Sequence, residues 1–149
     1  MPLDPQDHVR DGYLLLTRAA RLVQRRYDEA LAPLGLTRAA VIALKAMSQS
    51  PMNQEQLAAE VHVQSQTLGR VLTRLEAAGL ISRERDTHDR RQFQVKMTDA
   101  GEAALRAAQR AEIGAVPSDF DGWETLQEQL FRLVNSFQNH RDTPGQTHT

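Results

Sequence analysis

Two short stretches of the chain gather side chains suited to hydrogen bonding and to meeting negative charge. One is Gln64, Ser65, Gln66, Thr67 and Arg70; the other is Asp86-Thr87-His88-Asp89-Arg90-Arg91. Glutamine suits adenine, arginine suits guanine, and serine or threonine can serve bases or phosphates. This is the chemistry of binding, and the rest of the sequence offers an enzyme little. It holds no G-x-S-x-G elbow, no phosphate-cradling glycine loop and no H-E-x-x-H. His8, His62, His88, His140 and His148 are scattered, so no histidine and carboxylate cluster makes a metal site, and no cofactor is expected. His62 and His88 read best as solvated or turn histidines. The absence of cysteine excludes disulfides, thiolate metal sites and a thiol redox sensor.

The first cluster needs a rigid element beneath it. Leu68, Val71, Leu72 and Leu75 follow helical spacing, which predicts a helix from Gln64 or Ser65 to Ala78, stopped by Gly79. Gln64, Ser65, Gln66, Thr67 and Arg70 then occupy its N-terminal half, away from the apolar stripe. Gly69 is the odd residue, because a mid-helix glycine costs about 1 kcal/mol against alanine. Either close approach of the helix backbone to DNA or another helix, or drift, accounts for it. Upstream, Asn53 and Gln56 form a capping-box-like start for a short helix over 54–60, with Leu57, Ala58 and Val61 apolar. Val61-His62-Val63 is the turn between the two helices.

The second cluster sits between Leu80-Ile81-Ser82-Arg83-Glu84-Arg85 and Gln92-Phe93-Gln94-Val95-Lys96-Met97, which read as two strands. Phe93, Val95 and Met97 alternate with polar residues, the period of a half-buried hairpin. Four further helices complete the chain. Residues 9–34 carry Tyr13, Leu16, Ala20, Val23, Tyr27, Ala30, Leu31 and Leu34 on one face and end at Pro33 and Gly35. Thr37 caps a helix with Ala40, Val41, Leu44 and Met47 inward. Thr98 caps one over 99–115, broken near Gly114 and Pro117. The last, over 122–139, places Trp123, Leu126, Leu130, Leu133, Val134 and Phe137 on one face. Residues 140–149 read as a disordered tail, and no repeat or interdomain linker is visible.

With 149 residues and 40% hydrophobic content, one domain is the starting expectation. No apolar run approaches the roughly 20 residues that span a bilayer, and the N-terminus lacks a secretory pattern, so a soluble cytoplasmic chain without membrane contact is expected. Net charge is −1, yet residues 62–97 carry +3 and residues 98–139 carry −4. A basic middle between neutral and acidic flanks fits a local DNA-facing surface.

The order helix, short helix, turn, longer helix, strand, basic loop, strand is that of a winged helix-turn-helix. In detail the chain resembles the MarR family of bacterial transcription regulators. The residues carrying the likeness are Asp86 to Arg91, Leu75-Glu76-Ala77-Ala78-Gly79-Leu80-Ile81-Ser82-Arg83 and Met97-Thr98-Asp99-Ala100-Gly101, with a weaker match at Leu57-Ala58 and Leu36-Thr37. The resemblance implies a mainly α (α+β) fold: a DNA-binding lobe over 37–97, a two-stranded β-wing, and dimerisation helices over 9–34 and 99–139. It implies that Arg91 reaches the minor groove with Asp89 orienting it, while Arg90 pairs with phosphate or a nearby acid. Arg74 and Arg83 are candidates for phosphate contact or for structural ion pairs.

The resemblance further implies a homodimer built on the terminal helices, with Tyr13, Leu16, Trp123, Leu126, Leu130, Val134 and Phe137 at its interface. Such a dimer would bind double-stranded DNA at a pseudo-palindromic operator, as a repressor released by a small-molecule effector, commonly phenolic or otherwise aromatic. The competing reading is a winged helix used as a protein-interaction module without DNA. Arginines on both the recognition helix and the wing speak against it.

Overall fold

The computed structural model describes residues 4–61 and 65–141. They fall into two compact units, Met1–Val116 and Pro117–Thr149, divided beside the breakers Gly114 and Pro117. In the first unit, α1 spans Pro5–Leu31. It begins four residues before the expected start, because Asp4 caps it by accepting from the Gln6 N–H (3.0 Å) and Pro5 needs no amide partner in the first turn. A 3-10 turn at Ala32–Leu34 follows and closes on Gly35. There φ is 69°, and Leu36 N–H donates to Leu31 O while Gly35 N–H donates to Ala32 O. This is the left-handed closure that glycine permits without a Cβ penalty.

Helix α2 (Arg38–Met47) starts at Thr37, whose hydroxyl accepts from Ala40 N–H at 3.2 Å. Arg38 ties it to α1 through Asp28 at 2.7 Å. Helix α3 (Gln54–Val61) opens on the expected reciprocal cap: Gln56 N–H donates to Asn53 Oδ1 (2.7 Å), and Asn53 N–H to Gln56 Oε1 (3.1 Å). Helix α4 is Ser65–Ala77, and α5 is Asp99–Gly114.

The expected two-stranded wing is present, and the sheet extends beyond it by one strand. Strands β2 (Ile81–Arg85) and β3 (Phe93–Met97) form the hairpin, but β1 (Met52–Asn53) adds a third antiparallel strand in the order β1-β3-β2. Met52 pairs with Val95 and Asn53 with Gln94. The segment entering α3 thus runs along the outer edge of β3, and Met52 packs against the core.

Leu31, Leu44, Leu57, Leu68, Leu72 and Val95 are fully buried, drawing α1, α2, α3, α4 and β3 around one core. Each such side chain contributes about 1.5–3 kcal/mol. Leu105 and Ala108 bring α5 onto the same core. The sheet joins α5 at Thr98. Its hydroxyl caps α5 by accepting from Gly101 N–H (3.1 Å) and donates to Gly79 O (2.7 Å), while Thr98 N–H donates to Leu80 O (3.0 Å).

In the second unit, α6 spans Trp123–Arg141, two residues past the expected end. None of its residues is buried. Residues 142–149 of the expected tail lie outside the described residues. No single described helix is long and apolar enough to cross a membrane; α1 with its 3-10 turn meets that composition only jointly with α2, across a 77° bend.

Candidate nucleic-acid interface

Helix α4 is oriented by its apolar stripe. Leu68, Leu72 and Leu75 are buried and Val71 partly so, which leaves Gln66, Thr67, Arg70, Thr73 and Arg74 exposed. Gln64 and the side chain of Ser65 lie outside the described residues. The helix ends at Gly79, where φ is 75°, with Leu80 N–H donating to Leu75 O and Gly79 N–H to Glu76 O. Thr67, Arg70 and Arg74 share the rim of a cleft of about 260 Å³ bounded by Gly35, Thr37 and Leu80. Among the described residues, a Cβ added at Gly69 would meet the far end of Gln54, at 3.4 Å, which is ordinary contact.

The wing is built differently, from polar contacts. Asp86 accepts from His88 N–H (2.9 Å) and from the Gln94 amide (3.1 Å). These bonds, His88 first, hold its carboxyl below the usual carboxylate range. Backbone bonds from Asp86 N–H to Gln92 O and from Gln92 N–H to Asp89 O close the loop. Gln92 in turn accepts from the Asn53 amide at 2.9 Å, tying the loop to the start of α3. Asp89 Oδ1 accepts from Arg91 N–H at 3.1 Å, so it positions the backbone at Arg91. Both Arg90 and Arg91 are exposed.

The arginines of this region divide into two groups. Arg83 is engaged inside the protein: it bonds both Glu76 carboxylate oxygens at 3.3 Å and the Thr73 hydroxyl at 3.4 Å, linking β2 to α4. Of the two alternatives left by the sequence, the structure places it in an ion pair, and this contact lowers the Glu76 pKa. Arg85 donates to Arg90 O at 3.0 Å, and its guanidinium lies 5.4 Å from the Phe93 ring centroid. Arg70, Arg74, Arg90 and Arg91 form no ion pair among the described residues.

The sequence reading did not single out Arg85. Phe93, at the outer end of the hairpin's inner face, is 37% exposed, and its ring meets Arg83 and Arg85 instead of the core. The available signal was the hairpin register, which sets Arg85 directly opposite Phe93. Among the residues expected at a dimer interface, Tyr13 and Leu16 on α1 and Trp123, Leu126, Val134 and Phe137 on α6 are exposed, and Leu130 is half-buried. No group of three or more His, Asp or Glu side chains that could hold a metal occurs among the described residues.

The MarR family model matches residues 34–92, from the turn before α2 to the wing. The HTH-type transcriptional repressors Rv2887 of Mycobacterium tuberculosis H37Rv and Mb2911 of Mycobacterium bovis are each 33% identical over 99 residues, covering 66% of this chain and 70% of their own. Among solved structures, the transcriptional repressor CouR bound to a 23-mer DNA duplex is 27% identical over 83% of this chain and 89% of its own, with a TM-score of 0.73. AbsC, a MarR family regulator from Streptomyces coelicolor, shares the fold at a TM-score of 0.75 and 23% identity, covering 96% of this chain and 99% of its own. The chain belongs to the MarR family of transcriptional regulators.

Proposed function

We propose that this protein is a sequence-specific DNA-binding transcriptional repressor that works as a homodimer. In this reading α4 enters the major groove and reads bases with Gln66, Thr67 and Arg70, joined by Gln64 and Ser65. Arg74 meets phosphate, and Arg91 enters the adjacent minor groove with Arg90 on the backbone. Arg83 serves the interface from within, by fixing β2 to α4. The observation that carries the proposal is the wing: its carboxylates are engaged in shaping the loop, while Arg90 and Arg91 stand exposed without an ion pair among the described residues. The DNA-bound CouR, similar across most of both chains, supports it.

The assembly follows from exposed apolar surface. On α1, Tyr13, Leu14 and Leu15 are each more than 60% exposed, as are Phe131 and Phe137 on α6. Faces of this kind on a lone chain call for a partner, and a second copy fits both. A two-fold then sets two recognition helices about 34 Å apart, against successive major grooves of a pseudo-palindromic operator. CouR has also been solved with p-coumaroyl-CoA, at 26% identity and a TM-score of 0.69, which supports a small-molecule effector, aromatic in part, for this chain.

The test is a titration of the wild type and Arg91→Ala against a duplex recovered by selection from genomic fragments. Arg91→Ala should weaken binding by about 1–3 kcal/mol while the protein remains dimeric by sedimentation. Unchanged affinity would remove the wing from the interface, and no specific binding by the wild type at moderate salt would favour a protein-interaction module.

A further inference from the structure

We infer that Arg85 is a positioning residue of the wing, acting on DNA through the peptide that joins Arg90 to Arg91; this rests on the reading of the wing as a DNA contact. That peptide is held at both ends. Its carbonyl oxygen accepts from the Arg85 guanidinium at 3.0 Å, and its N–H donates to Asp89 Oδ1 at 3.1 Å. A peptide plane held at its oxygen and its hydrogen is restrained from turning, so the directions in which the Arg90 and Arg91 side chains leave the backbone are biased before DNA arrives.

Arg85 is itself held in place. The register puts it directly opposite Phe93, and its guanidinium lies 5.4 Å from the ring centroid, within the range of a cation–π contact. Arg83 lies 6.0 Å from the same centroid and is anchored to Glu76, so the chain of contacts runs from α4 through Arg83 and Phe93 to Arg85 and the wing tip. An arginine whose donor faces a carbonyl and whose plane meets a ring is committed to holding the loop. Lysine keeps the charge, but it lacks the planar fork that makes both contacts together.

Two measurements on the full chain test this. In the free protein, 15N relaxation of the His88, Arg91 and Gln92 amides should show a clear drop in order parameter in Arg85→Lys, and a smaller one in Phe93→Leu. Unchanged wing dynamics in both variants would overturn the inference. Against a duplex selected on the wild type, Arg85→Lys should weaken binding about three- to tenfold, a fraction of the two contacts because lysine keeps the charge. In an Arg91→Ala background the same change should have little further effect. Full affinity in Arg85→Lys would mean that Arg85 serves only as a charge, and a loss that adds to that of Arg91→Ala would mean that it meets DNA independently of Arg91; either result overturns the inference. If Arg91→Ala alone leaves binding unchanged, the wing reading fails, and the amide dynamics still decide whether Arg85 fixes the loop.

Discussion

The recognition helix and the wing both expose arginines, but they hold them by opposite means. Helix α4 is anchored by hydrocarbon: Leu68, Leu72 and Leu75 lie in the core, and Arg70 and Arg74 extend from a backbone already fixed by the helix. The wing tip has no core beneath it. Its shape comes from Asp86, Asp89, Gln92 and Gln94 bonding within the loop and from Arg85 bonding to Arg90 O. An apolar anchor fails globally when it is damaged, because the same residues hold the domain together. A polar brace on the surface fails locally, so its loss should alter function with little change in stability.

The largest expected effect breaks the first side of that contrast. Leu72→Ala removes a fully buried side chain and should cost about 2–5 kcal/mol in denaturant unfolding, with DNA binding lost only as the protein unfolds. Next comes the base of the wing. A Cβ on Gly101 would run into the Leu80 carbonyl oxygen and lie 2.6 Å from Met97 Cγ, so Gly101→Ala should lower stability by about 1–3 kcal/mol in the same measurement. The opposite pattern is expected at the wing tip, where Arg91→Ala should leave the melting temperature unchanged while DNA affinity falls.

Gly69→Ala sharpens the comparison from the helix side. Among the described residues an added Cβ meets only the flexible end of Gln54, in ordinary contact, so the substitution should stabilise by about 0.5–1 kcal/mol. If DNA affinity falls at the same time, Gly69 allows close approach to DNA; unchanged affinity makes it incidental. Acid should produce the smallest effect. Asp86 and Glu76 have lowered pKa values in the folded protein, so their contributions are complete above the unfolded carboxylate value of about 4 and decline as pH falls through the folded values. The wing amides should therefore keep their order from pH 8 down to the ordinary carboxylate range of about 4 and lose it only as pH falls further, as followed by NMR.

Much of this was legible in the sequence because the signals were local. Thr37, the Asn53 and Gln56 pair, Gly79 and Thr98 each act within a few residues of themselves, and each marks a helix end in the structure. Asp4-Pro5 was an equally local start signal for α1 that went unused. What escaped was long-range. Strand β1 is two residues that pair with β3 more than 40 residues later, and Asn53 had already been accounted for as a cap. The choice between phosphate and Glu76 for Arg83 required knowing that β2 lies against α4. The exposure of Phe93 depended on where the hairpin passes the edge of the core, which alternation does not encode. For the candidate site, residue types were readable, but which arginines bond within the protein was not.

The most direct test of the central claim is selection of genomic fragments on the wild-type protein at moderate salt, followed by footprinting of the recovered duplex. Recovery of a pseudo-palindrome with half-sites about 10–10.5 base pairs apart, bound by one dimer and protected in both grooves, is the predicted result. Failure to enrich any sequence, or protection of a single half-site by a monomer, would contradict it.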